Sequence, residues 1–131
     1  MHGYRRQQFD HAFDYRTLDF ERRGVDSYVS FGRAFDLFGD GSVRLVYTPG
    51  HTLGHLSVIL RLRERDVLVA GDAIYTRRTL DGGARPFRTE DEHLFGRSLR
   101  EIQIFVESQA EVLVIPGHDM GLWKTLEPVY E

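Results

Sequence analysis

Three short apolar runs in this chain each stop at a glycine and then present a histidine or an aspartate: Thr48-Pro49-Gly50-His51-Thr52-Leu53-Gly54-His55, Ala70-Gly71-Asp72-Ala73 and Ile115-Pro116-Gly117-His118-Asp119. Apolar runs bounded by turn residues read as buried strands. Imidazole nitrogen and carboxylate oxygen are the ligands that zinc and similar divalent ions take, and glycine lets the backbone turn sharply enough for such side chains to converge. The chain must then fold so that three distant strand ends meet at one edge of a sheet, with His51, Asp72 and His118 side by side. A hydrolytic metal site is the first reading.

The segments between these junctions fit that requirement. Tyr28 to Phe38 runs into Gly39-Asp40-Gly41, after which Val43, Leu45 and Tyr47 alternate, so a hairpin is predicted here. Leu56, Val58, Leu60 and Leu62 alternate with Ser57, Ile59, Arg61 and Arg63 in a further strand. Val67-Leu68-Val69-Ala70 is continuous and apolar, as expected of a strand covered on both faces. Ile74 to Arg88 lacks periodicity and contains Gly82-Gly83 and Pro86, which predicts a mobile loop beside the site. Thr89-Glu90-Asp91-Glu92 matches a capping box, and Phe95, Leu99, Ile102 and Val106 continue it as the buried stripe of a helix. Val112 to Ile115 is the last strand, and Met1 to about Arg23 is read as helix. This order predicts an α/β fold, a mixed sheet with a helix packed on it.

At 131 residues and 41% apolar content the chain suits one domain with a core of its own. Twenty acidic residues against 17 basic ones leave a net charge of -3, which gives no reason to expect nucleic acid or an anionic membrane as partner. The absence of cysteine excludes disulfides and thiolate metal sites. With no apolar run of membrane-spanning length and no signal segment, the expected location is the cytoplasm.

From Ser42 to His118 the order and spacing of the three junctions resemble the second half of the metallo-β-lactamase superfamily, and Asp72-Ala73-Ile74-Tyr75 resembles its N-acyl-homoserine lactonase branch. The resemblance implies that His51 binds a first metal, Asp72 bridges two metals and His118 binds the second. It also implies that Tyr75 contacts the carbonyl or ring oxygen of the substrate. The family's opening His-x-His-x-Asp-His cluster, which supplies three further ligands and an Asp acting on the proton of a metal-bound water, does not occur in these residues. At Asp10-His11, Arg6 and Gln8 stand where histidines would be needed, and neither a guanidinium nor an amide serves as a zinc ligand there.

The resemblance therefore implies one partial domain over residues 1–131, the C-terminal half of an αββα sandwich within a larger enzyme. Its inner sheet face, including Val43, Leu45, Val58 and Leu60, would associate with a second copy or with an N-terminal half. Weak binding of at most one zinc is expected, with little activity from the chain alone. The substrate class implied is a lactone or related ester, with a thioester of the glyoxalase II type as the alternative. An inactive fragment and a complementing subunit are the other readings.

Individual residues carry competing roles. His55 is read as a residue that fixes the turn by hydrogen bonding in preference to a direct ligand. Tyr75 is equally a substrate contact or a packing aromatic. Asp119 either orients His118 or is simply exposed, and His2, His11 and His93 are assigned to surface or cap positions.

Overall fold

The computed structural model describes residues 17–84, 86 and 88–130, and in them the three apolar runs are strands of one six-stranded sheet. The strands are β1 (Asp26–Tyr28), β2 (Phe31–Asp36), β3 (Val43–Tyr47), β4 (Leu56–Arg61), β5 (Asp66–Gly71) and β6 (Val112–Pro116), lying side by side in chain order. Neighbours are antiparallel from β1 to β5, and β6 is parallel to β5. A parallel partner needs a crossover, supplied by α1 (Arg77–Leu80) and α2 (Glu92–Ser108). A last short helix, α3 (Met120–Trp123), follows β6. The expected mixed sheet with a helix on it is what forms, including the β2–β3 hairpin around Gly39-Asp40-Gly41.

This topology explains why distant junctions meet. Strands β3 and β5 are each antiparallel to β4 and hence run the same way, and β6 runs with β5. The C-terminal ends of β3, β5 and β6 therefore share one end of the sheet, together with the start of β4.

Alternation divides the sheet into two apolar faces. Cross-strand rows Ala34–Val46–Ser57 and Ile59–Leu68–Val114 form one of them, and all six residues are buried. The five apolar ones pack in one cluster with Phe95, Leu99, Ile102 and Phe105 of α2, spaced at the three- and four-residue steps of a helix face. Phe105 lies between Phe31 and Tyr28, with ring centroids 5.4 and 6.3 Å away. The other face carries the rows Phe35–Leu45–Val58–Val69–Ile115 and Val43–Leu60–Val67–Leu113. Val43, Leu45, Val58 and Leu60 thus share a face opposite α2, half-buried.

Several local expectations are corrected. Of the helix read over Met1 to Arg23, residues 1–16 lie outside the described residues, and Thr17 to Gly24 is irregular chain and turn. There the Asp19 carboxylate accepts the Glu21 N–H at 2.9 Å, a local bond that competes with helix, and Phe20 stacks on Tyr47 at 5.0 Å. The segment after Asp72 is not a bare loop: Ile74, Thr79 and Leu80 are buried, anchoring the single turn of α1 on the core. Helix α2 is capped by Asp91, which accepts the Leu94 N–H at 2.9 Å, and not by Thr89. Asp91→Ala is accordingly expected to cost about 1 kcal/mol in urea unfolding, whereas Thr89→Ala should stay within roughly 0.5 kcal/mol of the parent. Equal losses from the two variants would assign the cap wrongly.

Candidate metal centre

Three of the proposed ligands come together at the shared end of the sheet. His51 follows β3, Asp72 follows β5 and His118 follows β6, and the Asp72 carboxylate lies between the two imidazoles. Its Oδ2 is 3.3 Å from His51 Nε2 and its Oδ1 is 2.9 Å from His118 Nε2. Each oxygen therefore faces a different ring.

The geometry can be tested against a metal. Two ligands about 2.0–2.1 Å from one tetrahedral zinc stand roughly 3.3–3.4 Å apart. The His51–Asp72 separation fits that value, and the shorter His118 contact belongs to a side chain 62% exposed, free to adjust. Among the described residues, no three His, Asp or Glu side chains surround one common point. That follows from the arrangement, since each Asp72 oxygen faces only one of the two imidazoles.

The loop that carries His51 is held from the side of α2. The Asp91 N–H donates to the Gly50 carbonyl at 3.1 Å and the Glu90 N–H to the His51 carbonyl at 3.2 Å. The Ser98 hydroxyl, buried, donates to the Pro49 carbonyl at 2.7 Å, and the Glu90 carboxylate accepts the Leu53 N–H at 2.7 Å. Asp72 and His118 sit on backbones tied together: the Gly117 N–H reaches the Ile74 carbonyl at 2.9 Å, and the His118 N–H reaches the Tyr75 carbonyl at 2.8 Å.

Tyr75 lies within this cluster, its hydroxyl 2.8 Å from His51 Nδ1 and its ring 5.0 Å from that of His118. Burial, and then the nearby charge of Asp72, push its phenol above the usual tyrosine range, so it stays protonated at neutral pH. His55 meets Asp72 through the backbone: its Nε2 accepts the Asp72 N–H at 3.1 Å. Burial holds its imidazole below the ordinary histidine range, opposed by the Thr48 carbonyl and by the charge of Asp72.

Asp119 neither orients His118 nor stands free. Its carboxylate accepts the Leu122 N–H at 3.1 Å, capping α3, and the Arg77 N–H at 2.9 Å, tying α1 to the segment after β6. Those two bonds hold its carboxyl below the usual carboxylate range. His93 is exposed on α2, while His2 and His11 lie outside the described residues. Sequence reasoning missed Thr48, Ser57, Glu90 and Ser98. For Thr48 and Ser57 a signal existed, hydroxyls at the end of and within apolar strands.

Residues 4–118 match the model of the metallo-beta-lactamase superfamily. The chain is 27% identical to the N-acyl homoserine lactonase AttM of Rhizobium radiobacter, in a match covering 99% of this chain and 54% of that protein. A probable metallo-hydrolase of Mycobacterium tuberculosis is 35% identical over 70% of this chain and 33% of its own length. A solved N-acyl homoserine lactone hydrolase with the product N-hexanoyl-L-homoserine bound at its catalytic metal centre superposes with a TM-score of 0.63. It is 27% identical, and the match covers 72% of this chain and 36% of that one. The chain spans about half the length of the lactonases such as AttM that it matches.

Proposed function

The chain belongs to the metallo-β-lactamase superfamily, and we propose that it is one side of a metal-dependent hydrolase acting on a lactone or related ester. The observation that carries this reading is the Asp72 carboxylate, each oxygen of which faces a different histidine. With divalent ions bound, Asp72 would be shared between two of them and His51 and His118 would each hold one, zinc suiting this donor set. The relatives named as N-acyl homoserine lactonases support the substrate class.

A divalent metal bound there would supply Lewis-acid chemistry, easing the ionisation of water near neutral pH and polarising the carbonyl under attack. The protein's own side chains prepare the rest. For His51 to offer Nε2 as a ligand, its proton must sit on Nδ1, where it donates to the Tyr75 oxygen 2.8 Å away. The Tyr75 hydroxyl proton is then free to point at the substrate oxygen that gains negative charge. Asp72 and Tyr75 are thus the residues assigned to the reaction, with His51, Asp72 and His118 to the metal.

The remaining ligands and the proton-accepting Asp would come from a His-x-His-x-Asp-His cluster on the other side of the site. The apolar rows of Val43, Leu45, Val58 and Leu60 provide a surface for such an N-terminal half, or for a second copy. On this reading the chain acts as a complementing half. A thioester in place of the lactone remains the alternative substrate, to be separated by assaying both.

Zinc binding tests the reading. Two imidazoles and one shared carboxylate leave each ion short of ligands, so the chain should bind at most one zinc, weakly, after dialysis. Replacing Asp72, the residue that faces both histidines, with Ala should abolish it. Tight binding of two ions by elemental analysis would overturn the half-site reading.

A further inference from the structure

A continuous line of hydrogen bonds runs from the backbone of Asp72 into the sheet through His55. The Asp72 N–H donates to His55 Nε2 at 3.1 Å. On the other side of the ring, Nδ1 lies 3.1 Å from the Thr48 carbonyl oxygen and 3.0 Å from Thr48 Oγ1. Thr48 Oγ1 is 2.8 Å from Ser57 Oγ, and Ser57 Oγ donates to the Ala70 carbonyl at 3.1 Å.

Donors and acceptors in this line can be assigned without ambiguity. A backbone N–H only donates and a carbonyl only accepts, so Nε2 carries no proton and Nδ1 carries one. The Nδ1 proton is shared between the two Thr48 oxygens. Because Ser57 spends its proton on Ala70, Thr48 must donate to Ser57. Thr48 and Ser57 are buried, and among the described residues no buried side-chain polar atom is left without a partner. The line starts just past β5 and ends within it: Ala70 and Asp72 flank Gly71, whose φ of +54° makes the turn that aims Asp72. A Cβ at Gly71 would stand 3.1 Å from His55 Nε2, so the ring is seated directly against that turn.

We propose that His55 is a positioning residue that fixes the Asp72 backbone, its Nε2 accepting the Asp72 N–H while its Nδ1–H is held by Thr48, coupling the end of β3 to the turn after β5. His51 and Asp72 lie on those two segments, so His55 sets the separation of one ligand pair without binding metal itself. The claim about the backbone stands on geometry alone; its consequence for metal rests on the reading of Asp72 as a ligand.

The test separates the two. In the unaltered, 15N-labelled chain without metal, long-range proton–nitrogen correlations should show the His55 proton on Nδ1, and the Asp72 amide should be protected from exchange. A proton on Nε2 would overturn the proposal outright. Two variants then divide the ring's functions. His55→Gln retains an acceptor at the Nε2 position, and His55→Asn retains only a group at the Nδ1 position. Gln should keep the Asp72 amide protected and the affinity for zinc alone within about threefold of the parent. Asn should expose the amide and lose affinity about tenfold or more, as loss of a residue supporting a ligand does. Asn matching Gln in both readouts would contradict the positioning role. If the parent bound no zinc while the amide results came out as expected, the metal reading would fail and the positioning of Asp72 would stand.

Discussion

Gly50→Ala is expected to destabilise the protein by roughly 3–5 kcal/mol, combining left-handed backbone strain with overpacking. Gly50 has φ of +134°, which residues with a side chain rarely adopt. A Cβ there would lie 2.2 Å from the Phe95 backbone N and 2.3 Å from its Cα. Those atoms belong to the first turn of α2, so no flexible side-chain end can move aside. Relief would require lifting α2 away from the loop, breaking the Ser98–Pro49 and Asp91–Gly50 bonds and displacing His51 with them. Urea unfolding measures the loss, with Gly54→Ala as the control. A Cβ at Gly54 meets nothing within 4 Å, and that variant should stay within about 0.5 kcal/mol of the parent. A Gly50→Ala protein as stable as the Gly54→Ala protein would show that the loop is not clamped as described.

Replacing Asp72 by Ala should abolish lactone ring opening in a protein that joins this chain to an upstream half carrying His-x-His-x-Asp-His. The substitution removes both oxygens that face His51 and His118, and with them the group that would hold two ions at a fixed separation. Little or no turnover is expected from the chain alone, since these residues do not contain the ligands and the proton-accepting Asp of that cluster. Ring opening releases acid and is followed by pH change, with the chain, the joined protein and its Asp72→Ala variant measured at equal zinc. Turnover surviving in the variant, or full activity from the chain alone, would contradict the bridging role or the half-site respectively.

The parts of this structure that were legible in the sequence are those fixed by short-range pattern. Alternation in Val43–Tyr47 and Leu56–Arg61, and the Gly39-Asp40-Gly41 turn between strands, sufficed to predict strands and hairpin, because period and turn chemistry are local. His51, Asp72 and His118 were legible because each directly follows a glycine at a strand end. What failed depended on which of several equivalent local bonds the fold selects. Thr89-x-x-Glu92 has the form of a capping box, yet Asp91 two residues on has an equally good cap oxygen, and the fold uses it. Glu90 instead reaches Leu53, 37 residues earlier in the chain. Asp119 is spent on the local cap of α3 and on Arg77, the second a bond that exists only once α1 and the segment after β6 are adjacent. The buried anchors Ile74, Thr79 and Leu80 have no period in so short a segment, so nothing in the pattern marks α1 as helix. Among the described residues no helix is long and apolar enough to cross a membrane.

Where a metal ion sits relative to Asp72 decides the matter. Crystals of the chain grown with zinc, and diffraction recorded on both sides of the zinc absorption edge, would locate the ion from its anomalous signal. The expected peak lies beside the Asp72 carboxylate, within bonding reach of His51 Nε2 or His118 Nε2, and disappears in the Asp72→Ala protein. Zinc found only at His93 or another surface histidine, or a peak at the site that persists without Asp72, would contradict the assignment of this strand-end cluster as a metal centre.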